Sequence, residues 1–225
     1  MRKITVILLV LCLAHISFQA FAQGRFSIHA GTSLPMSDFA SDNITDEDAG
    51  MAALGLNIGV EYNYLLSDKG LGLFGGVDFH YNNLQQDVMN KIKTSYEDLG
   101  LNVSEIIYPK YFNIPFSGGL SYTYQANDKI GLFAKGGLTI NFFKMTDMFL
   151  KANGQTLVTL IDTAYGAGFR VGCGILIDKY TSVSFNYYGL GKLDLDGRVM
   201  VGSDSEDIDG KQKVDLATLT IGFLF

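Results

Sequence analysis

From residue 24 to the C-terminus, apolar and polar residues alternate in segments of about ten, each ending in a turn or a polar loop. The clearest segment, residues 54–64, carries Leu54, Leu56, Ile58, Val60, Tyr62 and Tyr64 on one face. Gly55, Asn57, Gly59, Glu61 and Asn63 occupy the other. A period of two is the mark of a strand with two unlike faces. The same reading holds for residues 26–32, 71–82, 112–124, 130–142, 165–177, 183–188 and 217–225, which predicts eight strands. Asn153-Gly154 is a strong two-residue hairpin signal. It reads as prolonging two spanning strands, as does the region of Asp196-Gly197, although ten strands remains open. Residues 84–99 instead place Leu84, Val88, Ile92, Tyr96 and Leu99 at helical spacing before Gly100, which predicts a short helix on the barrel mouth.

Two architectures fit eight such strands. A soluble barrel or sandwich buries the apolar face and wets the polar one, whereas a membrane barrel does the reverse. The polar face here is glycine, Asn, Ser and isolated charges, with bulky Phe74, Phe133 and Tyr188 among them; a solvated face would be rich in Lys and Glu. The apolar face carries aromatics at both ends, with Tyr62, Tyr64, Tyr122, Tyr124, Phe223 and Phe225 at one. Phe79, Tyr81, Phe112, Phe142, Tyr165 and Tyr187 mark the other, as two interfacial girdles require. Connections alternate between short turns (67–70, 127–129 and 178–180) and long polar loops. The expectation is therefore an all-β, eight-stranded antiparallel up-and-down transmembrane β-barrel with short periplasmic turns and long extracellular loops.

Composition agrees. Only 18% of the 225 residues are charged, 26 are glycine and none is tryptophan, which excludes disordered and coiled-coil chains. The net charge of −6 disfavours nucleic-acid binding. At the N-terminus, basic Met1-Arg2-Lys3 precedes an apolar stretch and then Ala20-Phe21-Ala22, the form of a secretory signal peptide cleaved near Ala22. Residues 1–22 are thus expected to be a leader and residues 23–225 the barrel domain. This implies export to the outer membrane of a Gram-negative bacterium. Removal of the leader also removes Cys12, leaving Cys173 without a disulfide partner.

Two short stretches carry a family resemblance. Leu216-Ala-Thr-Leu-Thr-Ile-Gly-Phe-Leu-Phe225 alternates and ends on phenylalanine. It resembles the terminal signal read by the barrel-assembly machinery, with Leu219, Ile221, Phe223 and Phe225 as the signal positions. Tyr111-Phe-Asn-Ile-Pro-Phe-Ser-Gly118 resembles the "YLEIPL" strand of the PorT-like outer-membrane β-barrels, similar in architecture to the OmpX and OmpA barrels, with Phe112 and Asn113 where that family often has Leu and Glu. The resemblance implies a fold more than a role, since members differ in role and one branch serves a protein-secretion apparatus.

Candidate chemistry is sparse. Asp78, His80 and Ser117 all point inward on neighbouring strands and could be placed as a hydrolytic triad, but no oxyanion-hole motif accompanies them; a lumenal hydrogen-bond lattice is the expected role. Loop acids (Asp38, Asp42, Asp46, Glu47 and Asp48; Asp204, Glu206, Asp207 and Asp209) suggest calcium. Aligning Gly210 to the EF-hand glycine, however, puts Leu216 where the bidentate Glu belongs. No cofactor or metal is expected. The four inward charges are more informative. Glu61 and Lys135 count to one height above the short turns, and Asp78 and Arg170 to about two residues higher. Eight strands enclose an interior just wide enough for side chains to fill, so these charges are expected to pair across the lumen and form a plug.

The function expected is non-enzymatic: a structural or surface-interaction role in envelope integrity, adhesion, or a larger envelope or secretion complex. Its partners would be outer-membrane lipid, the assembly machinery and an unidentified surface or envelope protein. A narrow channel or small-ligand carrier is the alternative, and a lipid-modifying hydrolase a more distant one.

Overall fold

The computed structural model describes residues 24–46, 48–202 and 204–225; the expected leader lies outside them. Eight antiparallel strands form a closed ring: β1 (Gly24–Met36), β2 (Gly55–Leu65), β3 (Leu71–Asn83), β5 (Lys110–Gln125), β6 (Ile130–Met145), β9 (Ala164–Ile177), β10 (Thr181–Val201) and β11 (Asp204–Leu224). Each pairs with its neighbours in the chain, and β11 closes on β1 from Ser27↔Leu224 to Met36↔Asp215. Phe26 and Phe225 seal that seam by exchanging backbone hydrogen bonds. Closure leaves no free edge at membrane depth, which a lipid environment requires.

The apolar side chains face outward. Leu56 is 66% exposed, Leu138 77% and Ile140 60%, whereas the alternate positions Asn57, Glu61, Thr139 and Asn141 are buried. Large apolar groups bared over a whole cylinder, with polar groups inside, define a barrel for lipid. At the long-loop end the outward aromatics touch in series: Phe79 on Phe112 at 5.7 Å between centroids, Tyr81 on Phe112 at 5.3 Å, and Phe142 on Tyr165 at 5.1 Å. The β3–β5 ladder skips between Val77↔Phe116 and His80↔Asn113. Pro115 lies in that gap and has no N–H to give.

The long-loop end departs from simple prolongation. Strands β4 (Val103–Ile107), β7 (Met148–Ala152) and β8 (Gln155–Ile161) lie beyond the ring and extend it as β10-β8-β7-β4. Asn153 (φ 51°) and Gly154 (φ 77°) do form the hairpin turn between β7 and β8, but that hairpin does not continue the β6–β9 ladder. The reason lies in β10, which is 21 residues long and keeps β9 as partner only as far as Gly189. Its edge from Gly197 to Val201 is left open, and β8 takes it. Gly191, at φ 84° within the irregularity between Gly189 and Lys192, allows the bend there. The β10–β11 hairpin likewise turns at Gly202 (φ 63°), beyond Asp196-Gly197.

Two helices close this end. Helix α1 (Ser37–Ala40) carries Phe39 into the mouth, and α2 (Gln86–Asp98) lays Val88 against the same cluster. Both side chains are fully buried, among Tyr111, Phe143, Tyr188 and Leu190. Phe39 stands edge-on to Tyr111 at 5.3 Å. A Cβ at Gly50 would lie 2.5 Å from the Phe39 ring, so this loop can cross it only as glycine. Helix α2 ends at Gly100, in the left-handed region at φ 79°. Leu99 remains exposed rather than joining the packed face.

Candidate functional site: the lumenal charge cluster

Pairing register brings the lumenal groups together. His29, Gly59 and Asp78 stand side by side on β1, β2 and β3. A Cβ on Gly59 would come within 2.5 Å of both Asp78 Oδ1 and His29 Nε2. Its absence lets His29 and Asp78 meet across β2, with the ring N–H donating to the carboxylate at 2.6 Å. Gly172 serves Asn186 in the same way, since a Cβ there would meet Asn186 Oδ1 at 2.3 Å.

Arg170 is the centre of the cluster. It is fully buried, and its Nη1 lies 3.1 Å from Glu61 Oε2 and 3.2 Å from Asp78 Oδ2. Nη2 donates to Asn186 Oδ1 at 3.2 Å. The guanidinium lies between two rings, 5.0 Å from the Tyr188 centroid and 5.7 Å from that of Phe74. Lys135 Nζ donates to Glu61 Oε2 at 2.6 Å and lies 5.8 Å from the Phe74 centroid and 5.7 Å from that of Phe133. The remaining carboxylate oxygens are also served: Asn63 donates to Glu61 Oε1 at 2.8 Å, and Asn57 to Asp78 Oδ1 at 3.3 Å. Two acids and two bases thus cancel, with every carboxylate oxygen hydrogen-bonded. Burial of charge is tolerable on those terms.

All four charges named from the sequence, Glu61, Asp78, Lys135 and Arg170, therefore lie in one contact network. His29, Asn57, Asn63 and Asn186 belong to it as well. Sequence reasoning did not include them, although the inward phase of β1, β2 and β10 marks each position. The three triad candidates do not assemble. Ser117 Oγ contacts Thr139 Oγ1 at 3.1 Å, His80 Nδ1 lies 3.4 Å from Asn57 Nδ2, and no hydrogen bond joins His80 to Ser117 among the described residues. Four of the loop acids meet bases: Asp38 with Lys213 at 3.7 Å, Asp42 with Lys91 at 3.0 Å, Asp48 with Lys192 at 2.9 Å, and Asp207 with Arg198 at 2.8 Å. The hydrogen bond and charge of Lys91 hold the Asp42 carboxyl below its ordinary pKa. No grouping of three or more metal-ligating side chains occurs among the described residues.

The lumen is not filled throughout. Above the cluster it is packed by Tyr188, Phe143, Leu190 and Leu193, and Phe39 closes the mouth. Below it, toward the short turns, lies a cavity of about 270 Å³. The expected plug thus occupies only part of the barrel, because the inward residues on the short-turn side are mostly serine, threonine and glycine. Leu219, Ile221 and Phe223 point outward on β11, Phe225 directly follows that strand, and all four are exposed.

No family model matches the chain, and no curated protein is similar to it in sequence. Solved structures do match its fold. The crystal structure of the outer membrane protein OprG from Pseudomonas aeruginosa is 12% identical over 90% of this chain and 96% of that one, with a TM-score of 0.52. Neisserial surface protein A is 13% identical over 90% and 96%, with a TM-score of 0.45. At such identity the likeness concerns the fold, which is that of an eight-stranded outer-membrane β-barrel.

Proposed function

We propose that this chain is a non-enzymatic outer-membrane barrel, closed to solute flow, whose folded long-loop end faces outward in a structural or surface-interaction role. The observation that carries this reading is the neutral Arg170-centred cluster lying across the lumen beneath an aromatic cap. A conducting barrel would need a wet path past fully buried Arg170, Tyr188 and Phe39. The outward role draws support from the strands beyond the ring. Strands β11, β10, β8, β7 and β4 form a sheet braced by cross-strand pairs such as Arg198–Asp207 and Lys211–Asp194, which makes a shaped surface rather than slack loops. The separation of His80 from Ser117 supports the non-enzymatic reading. The stretch around Pro115 supports the PorT-like affinity, which concerns the fold and singles out no role within that family.

Planar-bilayer recording tests this reading: the purified barrel should give no steady conductance above the lipid background. A large, stable conductance would refute it in favour of a channel. The periplasm-side cavity favours a second reading, a small-ligand carrier.

A further inference from the structure

On the short-turn side of the cluster the inward side chains become small and hydroxylated. Ser27, Ser121, Thr123, Ser182 and Ser184 line a cavity of about 270 Å³, joined by Asn63 and the ring of Phe133. A Cβ at Gly174 would lie 2.5 Å from that ring, so glycine there lets Phe133 lie along the wall. The inner end is blind, being formed by His29 and the Lys135–Glu61 pair, and the outer rim carries Arg25 and the turn holding Asp68 and Lys69. Three bases thus line the cavity against two acids. Glu61 is already engaged by Lys135, Arg170 and Asn63. Arg25 is half-buried on an inward position of β1, and it pairs with no acid among the described residues. The volume lies just below the usual range for small-molecule pockets, about 300–1,000 Å³.

We propose that this vestibule binds a small hydroxylated carboxylate of the sugar-acid type, entering from the periplasm. The planar guanidinium of Arg25 offers a fork that matches a carboxylate. Each wall hydroxyl can both donate and accept, as a polyol requires, and Phe133 gives its ring a flat apolar face. Lys135 gives Glu61 one of its three N–H donors, so it retains others for a hydroxyl at the inner end. The site takes its blind inner end from the charge cluster of the proposed closed lumen, and its entry from the orientation in which the short turns face the periplasm.

The test is calorimetric titration of the folded full-length barrel in micelles with D-glucuronate, D-glucose and D-glucosamine at one ionic strength. Glucuronate should bind saturably, at least tenfold more tightly than glucose, and more tightly than cationic glucosamine. Arg25→Gln, which keeps a polar side chain and whose folding is checked by gel mobility, should reduce glucuronate to the level of glucose. In a Cys173→Ala background, Ser182→Cys should react with a membrane-impermeant maleimide only once the envelope is opened, and glucuronate should slow that reaction. Absence of saturable glucuronate binding, equal binding of glucose, or indifference to Arg25→Gln would overturn the proposal. Labelling of Ser182→Cys in intact cells would overturn entry from the periplasm and with it the proposal, whereas bilayer conductance with glucuronate binding retained would refute the closed lumen alone.

Discussion

Replacing Arg170 with methionine isolates the charge at the centre of the lumen. Methionine keeps part of the aliphatic stem while removing the guanidinium that lies over the Phe74 and Tyr188 rings, so the change strips the charge and leaves an apolar side chain in its place. The substitution leaves two buried carboxylates facing one lysine. Glu61 retains Lys135 and Asn63, and Asp78 retains only His29 and Asn57. Breaking a buried ion pair on one side typically costs about 3–5 kcal/mol. The compensating change is Asp78→Asn, which keeps the shape of the side chain and restores neutrality. The double variant Arg170→Met with Asp78→Asn should therefore be more stable than Arg170→Met alone, with a coupling of about 1–3 kcal/mol. Glu61→Gln as the second change should restore less, because it strands Lys135. Equilibrium urea unfolding in lipid vesicles, read by circular dichroism and by gel mobility, measures all of these; the chain has no tryptophan for fluorescence. Single and double changes that add to within about 0.5 kcal/mol would mean that water screens the cluster, and the plug reading would fail.

The aromatic cap should be separable from the charge cluster. Phe39→Ala should cost about 3–5 kcal/mol locally and speed proteolysis of residues 37–50, yet leave the barrel non-conducting because Arg170 still bars the lumen; conductance from this variant alone would assign the seal to the cap. Phe223→Asp with Phe225→Asp places two charges on outward positions of the closing strand, and should lower the folded protein recovered from the outer membrane. An unchanged level would remove the terminal strand from any role in assembly. Cys173 points outward with Phe169 and Val171, so a charged maleimide should label it slowly in the bilayer and fast after denaturation. Fast labelling of the folded protein would place β9 one residue out of phase.

The spanning strands were legible because lipid imposes one rule on every one of them: apolar outward, at a period of two. Leu56, Ile58 and Val60 obey it without reference to any partner, and so do Leu138 and Ile140. Pairing inside the lumen obeys no such local rule. Counting residues from the turns put Asp78 level with Arg170 and Glu61 level with Lys135, but tilt in a barrel offsets neighbouring strands, and Arg170 reaches both acids. His29 escaped notice because its partner lies across an intervening glycine rather than on the adjacent strand. The loop strands were hardest to read. Nothing in residues 155–161 states that their partner is the outer edge of β10, since that edge becomes free only where β9 stops pairing. Phe39 left one trace, as the only aromatic in an acidic loop.

The two closures of the lumen differ in kind, and the difference follows from where each lies. The cap stands at the mouth, where loops fold back on themselves, so it can use apolar packing that tolerates imperfect fit at modest cost. The charge cluster lies at membrane depth among strands whose inward positions alternate with lipid-facing ones. Filling that cross-section with apolar groups would leave such strands apolar on both faces, without the alternation that distinguishes lumen from lipid. Charged groups at Glu61, Asp78, Lys135 and Arg170 mark the lumenal face unambiguously, and their mutual neutrality keeps the cost of burial low. A strand that slipped by one residue would carry Arg170 into lipid, at a cost of about 2–4 kcal/mol at the midplane. The cluster that crosses the lumen thus also favours one register of the strands that carry it.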